Sequence, residues 1–237
     1  MIFYIPSYKR SYDCRTIDYL LSCGVCPSKI YVSTQTKDDY ELYSKNYKGK
    51  CSVILREGNN VAMNRNTCIL HARENGFSRF IMLDDDYDCI MSFVPKRNTR
   101  IDGDLFTQFV DGISNLMDKG VTLIGLYPIS NNMFAMSQKP ITRSLLIGRF
   151  LAFSTNEFLF DEEYRIKEDY EICLRIMQSG KSVCRLNRFF SHVKLEQAGG
   201  CREDFENGYS KTYSNKLLTI YPDLLKKGCR DGEIALR

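Results

Sequence analysis

The sequence predicts an α/β fold, a mostly parallel sheet with helices on both faces, in a single domain. Three observations predict it. Short runs rich in Val, Ile, Phe and Tyr alternate with amphipathic stretches through the first half of the chain. Such alternation implies parallel strands joined by crossover helices. At 237 residues, with 43% hydrophobic and 12% aromatic content, the chain is globular and large enough to bury its own core.

Strands are expected at 2–5, 29–33, 51–56, 79–83 and 121–126, and helices between them at 13–23, 38–47, 60–75 and 103–119. In the last helix Leu105, Phe109, Ile113 and Leu116 share one face, and Asp102 or Asp104 can cap it. The second half is less regular. It offers a strand at 150–154, a helix at 167–179, a strand at 182–186 and a final helix at 214–227 that Gly228 stops. No repeat or linker divides the chain, so residues 1–193 read as the core and 194–237 as a C-terminal extension packed on the same domain.

No apolar run approaches the roughly 20 residues that span a bilayer. The opening MIFYIPSYKR reads as a core strand rather than a signal peptide, so a cytoplasmic protein with no membrane partner is expected. The ten cysteines read as reduced thiols packed as small hydrophobes. The one C-x-x-C pair, Cys23 and Cys26, lacks the second pair that a structural zinc needs. A formal net charge of +4 permits an anionic substrate or nucleic acid but selects neither.

Ligands of open α/β sheets sit beyond the carboxyl ends of the strands. There the sequence places Phe80-Ile81-Met82-Leu83-Asp84-Asp85-Asp86, an apolar strand ending in three carboxylates. Adjacent anions repel one another, and a divalent cation such as Mg²⁺ or Mn²⁺ compensates them well. Alternate residues at a strand end point the same way, so Asp84 and Asp86 can share a site; a solvated acidic turn is the plainer alternative. Upstream, Gly58 permits a tight turn, the helix start after it offers backbone N–H groups to an anion, and Arg65 adds a fixed positive charge.

The run from Gly58 to Asp86 resembles the donor-site segment of inverting glycosyltransferases with the GT-A fold, in which a glycine, an Arg-Asn pair and a D-x-D motif follow in this order. The opening Ile5-Pro6-Ser7-Tyr8-Lys9-Arg10 resembles that family's nucleotide-binding start, with Pro6, Tyr8 and Arg10 toward the donor. The segment from Gly148 and Arg149 to Ser154 looks like its acceptor-side strand. Glu168-Asp169 is similar to its E-D motif at a helix start, and Ser191-His192 falls where many members place a metal-binding histidine. The resemblance covers residues 2–193. It implies a nucleoside-diphosphate sugar donor (UDP-glucose or UDP-GlcNAc), Mn²⁺ or Mg²⁺ held by Asp84, Asp86 and His192, Asp85 beside the donor, and Asp169 as catalytic base.

A metal would neutralise the departing diphosphate, and a carboxylate on the opposite face of the sugar would take the acceptor proton and invert the anomeric centre. A helix start should keep Asp169 ionised. Glu168 would orient the acceptor or support the fold. His71, mid-helix beside Ile69 and Leu70, reads as packing.

The small size, the I-P-S-Y-K-R opening and the Gly199-Gly200 turn further resemble the phage enzymes that accompany TET/JBP oxygenases and the base J glucosyltransferases, which glycosylate 5-hydroxymethylpyrimidines in DNA. That resemblance implies double-stranded DNA as partner, with Lys96, Arg97 and Arg100 in one loop downstream of the acids where they could meet phosphates. A polysaccharide or protein acceptor is the alternative within enzymes, and a nucleic-acid-binding module with a degenerate donor site the alternative outside them. A nucleotidyltransferase would lack the E-D and late His pair.

Overall fold

The alternation of the first half folds as parallel strands and crossover helices. A computed structural model describes residues 1–94, 97–128, 139–193, 208–230 and 232–237, without the side chains of 94 and 97. In chain order these form β1 (Ile2–Pro6), α1 (Arg15–Ser22), β2 (Ile30–Thr34), α2 (Lys37–Asn46), β3 (Ser52–Leu55), α3 (Val61–Glu74) and β4 (Phe80–Leu83). A hairpin follows, β5 (Tyr87–Val94) and β6 (Arg97–Ile101), then α4 (Gly103–Asp118), β7 (Val121–Tyr127), β8 (Ile141–Thr142) and β9 (Phe150–Phe153). The chain continues through α5 (Glu168–Gln178), β10 (Ser182–Val193), α6 (Tyr209–Ile220), β11 (Leu225–Lys227) and β12 (Ile234–Leu236).

The large sheet runs β3-β2-β1-β4-β9-β7-β10-β5-β6, with β8 against β10. β1 pairs in parallel with both β2 and β4, and β7 in parallel with β10, while β9 is inserted antiparallel between β4 and β7. Alternation buries both faces: Phe3 and Ile5 meet α1 and α4 on one side, where Ile17, Leu20, Phe106 and Ile113 lie. Tyr4 and Met82 meet α3 and α5 on the other, with Cys68, Ile69, Ile172 and Ile176. The chain leaves β1 toward β2 and β3, then returns to β4 on β1's other side. The resulting crevice at the carboxyl ends of β1 and β4 is where this architecture binds ligands, and it holds residues 7–10 and 84–86.

Several expectations need correction. Arg97 and Arg100, expected in one loop with Lys96, lie in a strand: Arg97–Ile101 pairs antiparallel with Tyr87–Val94. The strand expected at 182–186 runs on to Val193 and carries His192 within it, with register breaks after Leu186 and His192. The buried face of α4 is Phe106, Phe109, Ile113 and Met117. Leu105 is exposed, and Asp102 sits at the cap position without a side-chain cap bond, its carboxylate 3.3 Å from Arg100 Nε. The last helix starts earlier and ends at Ile220, because Pro222 has no N–H to continue it. The residues beyond it pair as β11 and β12, and Gly228 serves that hairpin turn by donating to Glu233 C=O at 2.9 Å.

The boundary expected at 193/194 opens on residues 194–207, outside the described residues. The elements after it pack on α5: Leu217, Tyr221 and Leu225 cluster with Tyr164 and Leu174. Tyr221 OH donates to Glu171 Oε1 at 3.1 Å, and Arg175 Nε donates to the same oxygen at 3.0 Å. Leu217→Ala, at a fully buried position, should cost about 2–5 kcal/mol of unfolding free energy. An unchanged denaturant midpoint would show that α6 does not pack here.

Candidate active site

Three consecutive polar residues of α3 are buried, and each ties down a different part of the crevice. Asn64 Nδ2 donates to Ser7 C=O at 2.9 Å while its Oδ1 accepts from Ser33 Oγ at 2.6 Å, joining the ends of β1 and β2. Asn66 exchanges bonds of 2.7 and 3.0 Å with the Phe160 backbone, and its Nδ2 reaches Glu162 Oε1 at 2.9 Å. Between them Arg65, 4% exposed, forms ion pairs with Glu168 through Nη1 and with Asp84 Oδ1 at 3.3 Å through Nη2. Its guanidinium also packs over the Phe160 ring at 5.6 Å. Sequence reasoning placed Arg65 at the donor phosphates; in the structure it links the D-x-D motif to the E-D motif. Asn64 was missed, and Asn66 was read only as half of the Arg-Asn pair. The signal was there, because Asn64 and Arg65 lie four residues before the buried Cys68 and Ile69, on the same stripe of the helix.

The three aspartates divide their work. Asp85 is buried and accepts from Arg10 Nη1 at 2.5 Å and from the Ser7 hydroxyl, which also meets Tyr43 OH at 2.5 Å. Burial raises the Asp85 carboxyl to about 6, against the pull of Arg10 and Ser7. Asp84 and Asp86 stay partly exposed. Burial also raises Asp84, with Arg65 opposing it and Asp86 adding to it. Asp86 Oδ2 lies 3.1 Å from Arg10 Nη1, and its buried Oδ1 has no hydrogen-bond partner. Thr16, unmarked in the sequence reading, holds the turn: its hydroxyl donates to Asp84 C=O at 2.6 Å and accepts from Tyr87 N–H at 3.0 Å.

Asp169 stands at the start of α5, after Lys167, which adopts a left-handed backbone with φ +64°. Its carboxylate accepts from Gly148 N–H at 2.7 Å and from Tyr170 N–H at 2.8 Å. Removal from water raises its pKa nonetheless, more than Arg65, these two N–H groups and Lys167 lower it. Burial thus works against the donor-rich helix start that was expected to keep it ionised. Glu168 is buried against Arg65, and burial pushes its carboxyl upward as well. Gly148 is needed here, since a Cβ at that position would overlap the Arg65 guanidinium. Arg149 C=O accepts from Asp84 N–H at 3.0 Å, so the 148–149 turn touches both acidic motifs.

The other candidates fall as follows. Pro6 is buried at the end of β1, and Tyr8 beyond it is 41% exposed. Gly58 N–H faces Gln35 C=O at 3.4 Å. The α3 start offered to an anion is capped internally, Asn60 Oδ1 accepting from Met63 N–H at 2.8 Å. His192 is paired across the β5–β10 ladder with Cys89, and its Nδ1 lies 3.4 Å from Asp88 Oδ2. Among the described residues no three His, Cys, Asp or Glu side chains gather as a metal-holding group. The pair Asp84 and Asp86 still fits a cation, because the unpartnered Asp86 Oδ1 is a buried acceptor with its bonding capacity unused. His71 packs as expected, its Nδ1 2.8 Å from Tyr4 OH. Arg100 is held by Asp102 and lies over Tyr19 at 5.6 Å. Lys96, Gly199, Gly200 and the Arg97 side chain lie outside the described residues.

Among solved structures the chain is similar to a CMP:2-keto-3-deoxy-manno-octonic acid synthetase complexed with CTP, at TM-score 0.50 and 12% identity, covering 90% of this chain and 98% of that one. It is also similar to a cytidylyltransferase from Leptospira borgpetersenii serovar Hardjo-bovis, at TM-score 0.47 and 12% identity over 93% and 92% of the two chains. A candidate nucleotide-diphospho-sugar transferase from Desulfovibrio desulfuricans G20 follows at 0.45 and 9%, covering 78% of each chain. At these identities the likeness is one of fold. No curated protein matches the chain by sequence, and no helix among the described residues is long and apolar enough to cross a membrane. A family model described as TET-Associated Glycosyltransferase matches residues 1–200. The chain therefore belongs to the TET-associated glycosyltransferases, an α/β enzyme whose D-x-D and E-D carboxylates are joined through Arg65.

Proposed function

We propose that this glycosyltransferase moves a sugar from a UDP-sugar to the hydroxyl of a 5-hydroxymethylpyrimidine in DNA, with inversion at the anomeric carbon. The observation that supports it best is the pair of contacts made by Arg65, which sets Asp84 at the end of β4 beside Glu168 and Asp169 at the start of α5. An acidic pair fit for a cation and a separate carboxylate fit for a base are what this transfer requires.

In this reading Asp84 and Asp86 would hold Mn²⁺ or Mg²⁺, with His192, which here lies 3.4 Å from Asp88 Oδ2, as the third ligand that the family resemblance offers. Bound there, the cation would neutralise the charge that develops on the diphosphate. Tyr8 is exposed at the crevice, available to stack on the uracil. Asp169 takes the proton from the acceptor hydroxyl. That oxygen bonds to the anomeric carbon as the bond to the β-phosphate oxygen breaks, and the electron pair leaves with UDP. A carboxyl raised by desolvation is a stronger base than an exposed aspartate, which suits it to the task. Glu168, bonded to Arg65, holds the helix start on which Asp169 stands.

Incubation with Mn²⁺ and a panel of UDP-sugars, with hydroxymethylated duplex DNA or a glycan panel as acceptor, tests the reading. Transfer to the duplex is expected, lost in excess chelator, restored by Mn²⁺ or Mg²⁺, and weakened steeply by salt as phosphate contacts release counterions. Full activity under chelation would remove the metal, and transfer to glycans alone would replace the acceptor.

Asp169→Asn separates a base from a helix-start acid. Asn keeps the size and one of the two backbone N–H bonds but cannot take a proton, so a somewhat less stable, UDP-sugar-binding protein slowed by about 10²–10⁴-fold is expected. Wild-type turnover in that variant would place the base elsewhere.

A further inference from the structure

A row of cations and tyrosines runs from the start of α5 to the carboxyl end of β7. Arg185 on β10 is in register with Gly125 on β7, so Arg185 and Tyr127, two residues on, share one face of the sheet. That is the face α5 covers, with Ile172 and Ile176 packed among Leu123 and Val183. The Arg185 guanidinium lies over the Tyr127 ring at 5.4 Å, and its charge also reaches the Tyr170 hydroxyl. The Lys167 ammonium lies over the Tyr170 ring at 5.2 Å. Asp169 stands beside this row: Tyr170 N–H donates to its Oδ1 at 2.8 Å, and Lys167 attracts its carboxylate.

Both cations are partly buried, and burial lowers the pKa of each. A charge that loses water is ordinarily matched by an opposite charge in contact. Neither of these forms an ion pair among the described residues. Asp169 and Glu233 attract Lys167 only from beyond contact distance, and Arg185 Nε donates to the neutral Asn187 Oδ1 at 2.8 Å. An aromatic face repays part of the lost hydration and leaves the other side of each cation for an anion from outside. Lys167 is held in place at φ +64°, where a glycine would cost less.

We infer that Lys167 and Arg185, steadied by the rings of Tyr170 and Tyr127, bind backbone phosphates of the acceptor strand next to the modified base. The inference rests on the DNA acceptor proposed above and adds the groups that hold its backbone beside Asp169. Phosphate contacts fix the register of a nucleic acid without reading its sequence, and bringing one hydroxymethyl group to a fixed carboxylate requires that register. The donor's diphosphate is the other phosphate in the reaction. Its proposed cation site includes Asp84, which Arg65 holds through Nη2, whereas Nη1 holds Glu168 at the α5 start.

The probe is a hydroxymethylated duplex oligonucleotide, with binding read by fluorescence anisotropy across a salt series and UDP affinity in Mn²⁺ read by calorimetry. Arg185→Gln, and Lys167→Asn with a residue that tolerates the left-handed backbone, should each weaken duplex binding several-fold. Each should also flatten the slope of log K against log salt by about 0.9, the share of one phosphate contact. Arg185→Lys keeps the charge and should keep the slope. Lys119→Asn, an exposed change at the far end of α4, should alter nothing. UDP affinity should stay within twofold of wild type in all four variants. Wild-type slopes and affinities in Arg185→Gln and Lys167→Asn overturn the phosphate row while leaving the acceptor reading intact. Weakened UDP binding with unchanged slopes gives the cations to the donor and overturns the row as well. If the wild-type enzyme glycosylates glycans and neither binds nor modifies the duplex, the acceptor reading itself fails, and the row with it.

Discussion

Arg65 carries a permanent charge into the protein interior, and the rest of the site is arranged around that charge. Taking a guanidinium out of water costs several kcal/mol even after relaxation. A carboxylate at about 4 Å returns roughly 4 kcal/mol at the effective dielectric of a protein site. The carboxylates lose solvation as well, so the network need not add net stability, but removing a partner would leave Arg65 buried and uncompensated. The chain supplies two partners from separate parts of its sequence, Asp84 after β4 and Glu168 at α5. Gly148 lies against the guanidinium where no side chain fits, so the D-x-D turn, the 148–149 turn and the E-D helix are fixed relative to one another by a single group.

From that constraint the roles of the carboxylates follow. Asp85 is committed to the fold, bonded to Ser7 and Arg10. Asp84 and Asp86 remain partly exposed, and Asp86 keeps one buried oxygen unused. Asp169 receives two backbone N–H bonds yet sits dry enough that its carboxyl is raised. Neighbouring acids that differ only in surroundings are thus assigned, in the function proposed, as brace, cation site and base.

The strand and helix framework of the first half was legible because each element carries its own period and its own bounds, from Ile2 through Asp118 apart from the paired strands Tyr87–Val94 and Arg97–Ile101. That hairpin escaped because Tyr87–Val94 and Arg97–Ile101 gain their identity from pairing with each other and with β10, a long-range fact no local pattern announces. The positions of Asp84, Asp86 and Asp169 at strand and helix ends were readable from motif order. The contacts of Arg65 were not. A cation in a helix reads as surface unless its position on the buried stripe is weighed, and its partners lie 19 and 103 residues away. At the α3 start, where an anion site was expected, Asn60 takes up the Met63 N–H itself.

A double-mutant cycle between Arg65 and Glu168, read as unfolding free energy, tests the organising contact most directly. With Arg65→Met and Glu168→Leu, each single change strands a buried charge and should cost about 3–5 kcal/mol. The double variant strands less, so its loss should fall short of the sum by roughly 1–3 kcal/mol, the range found for residues in direct contact. Strict additivity would mean that Arg65 does not hold the two motifs together.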